Sequence, residues 1–473
     1  MTVVARLARF VGARSWHDLS EAAREELKIR VLDALGCALG AMDAPPVRTI
    51  RAHLEEFGGR QLCTLIGGGH SAPDRAALYN GSLVRYLDFN ESLVRYLDLN
   101  DSYFAPRRDL SPERQPRPRA RRGRVRARLQ AGAAHRARGR LPGAVPALGR
   151  GAGAREGVRP HDAAVVRRGG RRGEGAPLGE AETANAVAVA VSALNALRVT
   201  RTGALSQWKG LAYPFTAFGA VEAAVLAARG VTGPSEVFEG NNGFMDSIAG
   251  RFEIDWERED LERVRRTFLK RYNAEIHSQS ALEALLELRE AHPLDPAAVE
   301  RVELDTFQVA YDIIGGGEEG GKKEIRTKEQ ADHALPYLLA VALLDGQVMP
   351  EQFAPDRVVR PDVQELLRRV EVRPAADLSA RFPAEHACRL RLRLVGGATL
   401  AAEKSDYEGF VTRPMSWERA KEKFERLAAG RVKPGLPAEL AETVWALDGL
   451  ETRDLTTLLA RAGARETTKG AVR

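Results

Sequence analysis

The sequence predicts a mainly α fold with a smaller α+β region. Helical patterns fill the first half of the chain, alternating strand patterns begin after residue 265, and the tail turns helical again. These patterns divide the chain into 1–106 and 177–264, both helical, 265–402, α+β, and 403–473, a helical return. Between the helical parts lies 107–176, a stretch of different composition.

The elements follow in order. "LSEAAREELKIRVLDALGCALGAM" reads as an amphipathic helix, capped by Ser20, with Leu27, Val31, Leu35 and Ala38 on one face. "DRAALYNGSLVRYLDFN" is helical again, and "EAETANAVAVAVSALNAL" is a small-residue helix suited to close packing. "FTAFGAVEAAVLAARGVTGP" is another, stopped by Gly230, Gly233 and Pro234. In "VERVELDTF", Val302, Leu304 and Thr306 alternate with charged neighbours, as in a half-buried strand. "CRLRLRLVGGATLAAEK" alternates Cys388, Leu390, Leu392 and Leu394 with arginine and turns at Gly396-Gly397, a hairpin. "SALEALLELREA" and "ALPYLLAVALLDG" are helices between these strands, and "SWERAKEKFERLAAG" opens the helical tail.

With 473 residues, 44% hydrophobic and 29% charged, the chain can bury more than one core. No apolar run is expected to span a bilayer, and the start lacks an apolar signal core, so the expected compartment is the cytoplasm. Cys37, Cys63 and Cys388 are far apart and form no CxxC, so no metal cluster, zinc site or disulfide framework is expected.

The net charge of +7 comes from one segment. Residues 107–176 hold 20 Arg, no Lys and 5 acids, whereas the remainder has 51 basic and 59 acidic residues. The segment contains no Ile, Phe, Tyr, Trp or Met, and cannot bury enough apolar surface to offset chain entropy. It could be a linker or a phosphate-binding arm, but arms usually mix Lys and aromatics with Arg. A third reading fits better. Back-translating "RRDLSPERQPRPR" and sliding the frame by one base permits G-E-T-C-H-P-S-D-N-L-A-P, and "RPHDA" permits D-H-T-T-Q. The segment therefore reads as folded sequence translated out of frame, entering near Pro106 and leaving near Pro177. Just before it, "SLVRYLDFNE" and "SLVRYLDLND" form a tandem repeat of ten residues. Ten residues are not whole helical turns, so on a helix the copies would point roughly 80° apart.

"YNGSLVRYLD", "NDSYFAP", "SQWKG", "ARGVTGP", "KRYNAEIHSQSALE", "TKEQADHALPYLLAVALLDG" and "DYEGFVTRPMSW" together resemble the MmgE/PrpD family over roughly residues 5–106 and 177–430. The shifted-frame peptides H-P-S-D and D-H-T-T look like that family's active-site segments. The resemblance implies a large all-helical domain built from both chain ends, plus a smaller α+β lid domain, with the site in the cleft between them. It also implies a cofactor-free lyase, usually a homodimer, acting on a small tricarboxylate. The expectation is a 2-methylcitrate dehydratase-like enzyme, with a cis-aconitate decarboxylase type or another hydroxy-acid dehydratase as the rival within the family. No metal is expected at the site, and no membrane partner. A nucleic-acid or other anion-binding role for the arginine segment is the rival outside the family.

Removing water from a hydroxy-tricarboxylate needs a base for a carbon-bound proton, an acid for the leaving hydroxyl, and cations for carboxylate charge. By the resemblance, Asp98 is the aspartate of the site helix, because "NDSYFAP" continues the family pattern, with Asp88 in the first copy as its competitor. Ser102 is a substrate hydrogen-bonding hydroxyl. Lys209 is a carboxylate-binding lysine, and His277 is the acid–base candidate, since histidine titrates near neutral pH. Tyr311 is a hydroxyl donor from the lid. His333 and Tyr337 are expected to organise a core helix, and Arg413 to be structural. The family histidines of H-P-S-D and D-H-T-T would fall near Ser111 and Pro160, where the written chain lacks them.

Overall fold

The structure, a computed structural model, describes residues 1–89, 178–319 apart from 202 and 204, and 322–463. Asp98, Ser102, the second repeat and the arginine segment lie outside the described residues. The fold is mainly α, with one small α+β region.

Five helices of the N-terminal part matter here: α1 (Val3–Gly12), α2 (Glu21–Gly40), α3 (Pro45–Phe57), α4 (Pro73–Tyr86) and α5 (Glu180–Ala193). The Ser20 hydroxyl accepts the Ala23 N–H at 3.0 Å and caps α2. The sequence predicts one apolar face on α2, yet from Lys28 to Gly40 it is buried all round. Its small residues explain the difference: a Cβ at Gly36 would come 3.1 Å from the Phe424 backbone, so a C-terminal helix packs directly on it. Two short strands, β1 (Cys63–Thr64) and β2 (His70–Ser71), join α3 to α4.

The next helix, α6 (Trp208–Ala228), begins seven residues before the predicted run and packs on α4 and α5. By length and composition alone it could cross a bilayer, which corrects the expectation that no run could. It carries Lys209 and Pro214 into the protein, both buried.

The α+β region is a four-stranded sheet in the order β4-β3-β5-β6, built from β3 (Val299–Thr306), β4 (Val370–Pro374), β5 (Cys388–Leu394) and β6 (Thr399–Lys404). Strand β3 runs parallel to β4 and antiparallel to β5, with Val302 facing Leu392 and Leu304 facing Leu390. The alternation does its expected work: Val302, Leu304, Cys388, Leu390 and Leu392 are buried, and the arginines between them face outward. Helices α7 (Gln279–Ala291), α9 (Leu335–Asp345) and α10 (Pro361–Arg368) share that core, and the short α8 (Lys328–Ala331) precedes α9.

The tail forms α11 (Trp417–Ala428), α12 (Leu436–Trp445) and α13 (Thr452–Ala460). Phe424, Leu440 and Leu455 lie in one core with Val31 of α2 and Leu83 of α4. Arg413 is structural, as expected: its guanidinium donates to Glu283 of α7 at 2.9 Å and to Asp406 at 3.0 Å.

Candidate functional site

The site forms where α4, α6, the irregular stretch around Lys270 and the α8–α9 junction meet. Helix α4 stops at Tyr86, and Leu87 turns the chain into extended geometry, which leaves Asp88 at the mouth of the helix pair. Close approach of α4 and α6 brings Lys209 to it. A Cβ at Gly81 would sit 3.5 Å from Pro214, and one at Gly210 would sit 3.7 Å from the Tyr86 backbone. Both are ordinary van der Waals separations, so the two helices lie in direct contact at these positions.

Asp88 is buried among cations. Lys270 Nζ donates to its Oδ1 at 2.9 Å and to its backbone carbonyl at 3.1 Å. Lys209 Nζ lies 3.3 Å from its Oδ2, and Arg85 4.0 Å from its Oδ1. Lys209 also reaches Asp332 Oδ1 at 3.3 Å and His333 Nδ1 at 2.9 Å. Lys328 Nζ takes Asp332 Oδ2 at 2.7 Å and the Tyr86 carbonyl at 3.0 Å. Four cations thus surround two carboxylates. A small pocket of about 10 Å³, room for about one water, lies beside them, lined by Arg85, Asp88, Lys209 and Lys328.

The electrostatics follow from burial and proximity. Burial alone would raise Asp88, but Lys209, Lys270, His333 and Arg85 outweigh it and hold the carboxyl well below its usual range. Burial would likewise raise Asp332; Lys209, Lys328 and His333 instead push it down. Burial lowers Lys209, offset only in part by Asp332 and Asp88. Burial and the neighbouring Lys209 lower His333 against the pull of the two aspartates, so it favours the neutral form.

His277 stands next door, in a turn that starts α7. Glu275 Oε2 accepts its backbone N–H, and Glu275 Oε1 meets its Nδ1, both at 2.7 Å. The Glu275 N–H donates to the Asp332 carbonyl at 3.0 Å, which ties this dyad to the cation cluster. Burial would raise Glu275, but His277, His333 and Lys270 hold it at about 2. The His277 ring packs on Phe307 and stacks on His386 at 5.5 Å. His386 is fully buried, and burial together with His277 drives it well below the ordinary histidine value.

Of the residues singled out in the sequence, the structure brings Lys209 to Asp88 and puts His277 beside them. Tyr311 begins the turn Tyr311–Gly315 after β3, half-buried, and shares no hydrogen bond with these groups among the described residues. His333, read as a core residue, lines the cluster as well. Lys270, Glu275, Lys328, Asp332 and His386 were not anticipated. The Lys328–Asp332 spacing of four on one helical turn was the legible signal for that pair. Tyr337 behaves as a core residue: its hydroxyl donates to the Gln352 carbonyl.

Asp88, Asp332 and His333 each offer one ligand atom, all within 4.8 Å of one another, a spacing that suits a metal ion. The Lys209 ammonium contacts all three atoms, while Lys270 and Lys328 take the other carboxylate oxygens. The donor set is already saturated by the protein's own cations.

A mainly helical protein with a small α+β region holds buried lysines close to a histidine–carboxylate dyad, an arrangement of side chains that could hold a small anion. The profile of the MmgE/PrpD N-terminal domain matches residues 5–95 and 175–257, and that of the MmgE/PrpD C-terminal domain matches residues 272–448. The chain belongs to the MmgE/PrpD family. It is 25% identical over 291 residues to cis-aconitate decarboxylase of Mus musculus, covering 58% of this chain and 56% of that protein. Against cis-aconitate decarboxylase of Homo sapiens it is 26% identical over 297 residues, covering 60% and 58%. The chain thus spans little more than half the length of these curated relatives. The N-terminal match breaks off after residue 95 and resumes at 175, so Asp88 falls inside it and Asp98 in the gap.

Proposed function

We propose that this chain descends from a cofactor-free lyase acting on a small polycarboxylate, with 2-methylcitrate dehydratase-like elimination of water as its reaction. The observation that carries this is the union of the Lys209–Asp88–Asp332–Lys328 cluster with the His277–Glu275 dyad through one backbone hydrogen bond. The lysines bind substrate carboxylates and stabilise the negative charge that builds up on one of them as the neighbouring C–H bond breaks. His277, held by Glu275, exchanges the proton. The electron pair of the C–H bond becomes the new double bond, and the hydroxyl leaves as water after taking a proton from an acid. Asp88 takes the aspartate position of the site, supported by its burial among cations and its place inside the family match. The protein is proposed to be a cytoplasmic homodimer.

A decarboxylase of the cis-aconitate type is the second reading, favoured by the curated relatives' names. There the C–C bond electrons stay on the substrate, CO2 leaves, and the acid delivers a proton to carbon.

The written chain is proposed to be impaired, because the shifted segment removes the H-P-S-D and D-H-T-T histidines. The break in the family match across 96–174 supports this. The test compares the chain as written with one whose frame is restored across codons 106–177. Double-bond formation from 2-methylcitrate and CO2 release from cis-aconitate are both followed. The restored chain is expected to turn over one of them and the written chain neither. Equal turnover by both chains would sink the impairment, and turnover of neither substrate by the restored chain would sink the lyase reading.

A further inference from the structure

Lys270 grips Asp88, yet it belongs to a stretch with no helix or strand of its own to hold it. The backbone groups of such a stretch need partners from elsewhere in the protein. Three distant segments supply them. Arg30 of α2 donates to the Thr267 hydroxyl and carbonyl, both at 2.9 Å. The Leu269 N–H donates to the Gly409 carbonyl at 2.8 Å. Lys423 of α11 donates to the Lys270 carbonyl at 2.7 Å. The same ammonium donates to the Phe89 carbonyl at 3.1 Å, lies 2.6 Å from Asp33 Oδ1, and sits 4.0 Å from the centre of the Phe89 ring. Phe89 follows Asp88 directly, so a closed ring results. Lys423 holds the Lys270 backbone, the Lys270 side chain holds Asp88, and the next residue's carbonyl returns to Lys423. Asp88, Lys270 and Lys423 are all buried, where a hydrogen bond is strong and its loss leaves a polar group unpaired.

We propose that Lys423 is a positioning residue for the site, setting the separation between the chain end that carries Asp88 and the stretch that carries Lys270. This role rests on Asp88 being the site aspartate of the proposed lyase, and its first readout needs no turnover. Lys423 shares no contact with the Asp88 carboxylate among the described residues, so it acts through Lys270 and Phe89. Neutralising buried Asp33 is the simpler role for this lysine. That role would occupy one of the three N–H bonds of an ammonium. Here two hydrogen bonds go instead to the carbonyls of the residue that grips Asp88 and the residue that follows it. The tail of the chain thus enters the site: α11 is remote in sequence from α4 and from Lys270, yet one of its side chains ties the two together.

Acetic anhydride labelling of the chain as written, mapped by peptide mass spectrometry, separates the two roles. The buried Lys270 amine reacts only when its surroundings open, so its rate reports local opening. Asp33→Asn keeps both carbonyl contacts and should leave that rate within about twofold. Lys423→Met should raise it about tenfold or more. The Asp33→Asn, Lys423→Met double variant should do the same, and it leaves no lone carboxylate buried. Lys28 is the control. It is buried on α2, and its ammonium lies 5.2 Å from the Trp445 ring, which packs on Trp417 of α11. General loosening of α11 would therefore speed Lys28 as well. A faster Lys270 with Lys28 unchanged supports the positioning role. An equal rise at both lysines, an equal rise with Asp33→Asn alone, or no rise at all overturns it. Calorimetric titration with cis-aconitate extends the test to the site. Where the parent chain binds, the double variant should bind about tenfold more weakly, and unchanged affinity overturns the proposal. Where the parent does not bind but Lys270 labels faster in the double variant, the lyase reading fails and the positioning of Lys270 stands.

Discussion

The backbone N–H of Glu275 donates to the backbone carbonyl of Asp332 at 3.0 Å. Through this one bond the residue that holds His277 is fixed against the residue that holds Lys209 and Lys328. On the proposed reading, a proton-transfer group and a set of carboxylate-binding cations thereby share a common frame, which is what positional catalysis needs.

The repeat can be dissected by stability. Asp88→Asn would leave Lys270, Lys209 and Arg85 facing a neutral amide inside the protein. Loss of one partner from a buried ion cluster costs on the order of 3–5 kcal/mol. Asp98→Asn should cost less than about 0.5 kcal/mol if the first copy holds the site. Urea midpoints of the two variants decide it, and a larger drop for Asp98→Asn would reassign the site to the second copy.

Lys209→Met should weaken tricarboxylate binding. A charge-assisted contact is worth about 1.5–3 kcal/mol, so the dissociation constant should rise roughly tenfold to a hundredfold. Calorimetric titration with cis-aconitate, on the written and restored chains, reads this out. An unchanged constant would remove Lys209 from the binding site.

Glu275→Gln should leave substrate binding near normal in the restored chain and lower kcat by about tenfold to a hundredfold. The amide still accepts a hydrogen bond but cannot stabilise a charged imidazole. A variant with raised KM and unchanged kcat would instead make Glu275 a binding residue.

Acid should destabilise the fold in two stages. His333 and His386 lie below the ordinary 6.5 in the folded protein, so the unfolded chain binds more protons as pH falls through 6.5, and stability drops. Glu275 is depressed from 4.5 to about 2, so its contribution is full above 4.5 and is lost as pH falls towards 2. That second stage is worth on the order of 3 kcal/mol. Urea midpoints from pH 8 to pH 2 should fall in two steps; a rise between pH 7 and pH 5 would contradict the histidine assignments, and no fall below pH 4.5 would contradict that of Glu275.

Much of the architecture was legible because local pattern and burial agree. Strand β5 shows it: Cys388, Leu390 and Leu392 go inward wherever the sequence alternates. Helix α2 shows the limit, since periodicity marks one buried face and the small residues that let α11 cover another are silent in such a pattern. At the site, Lys209 and His277 stood out through their motifs. Lys270 and Asp332 did not, because a lone charge in sequence looks like surface. Only the meeting of α4 with α6, and of the turn before α7 with the α8–α9 junction, makes them neighbours. In the sequence, Asp98 outranks Asp88 because the residues after the second copy continue the family pattern. Which copy the lysines grip depends on where α4 ends, and that end is a tertiary property. The region that would carry the remaining histidines lies outside the described residues.

The cluster around Asp88 and Asp332 has no net need for outside ions, since each carboxylate oxygen already faces a lysine. On the proposed reading, a polyanion therefore enters by displacement, in the manner of a resin exchanging its counter-ions. Each arriving carboxylate must replace an aspartate at a lysine, so selection runs on valence before shape. A monocarboxylate offers one exchange against a network held at several points, and a tricarboxylate offers enough simultaneous exchanges to release the lysines together.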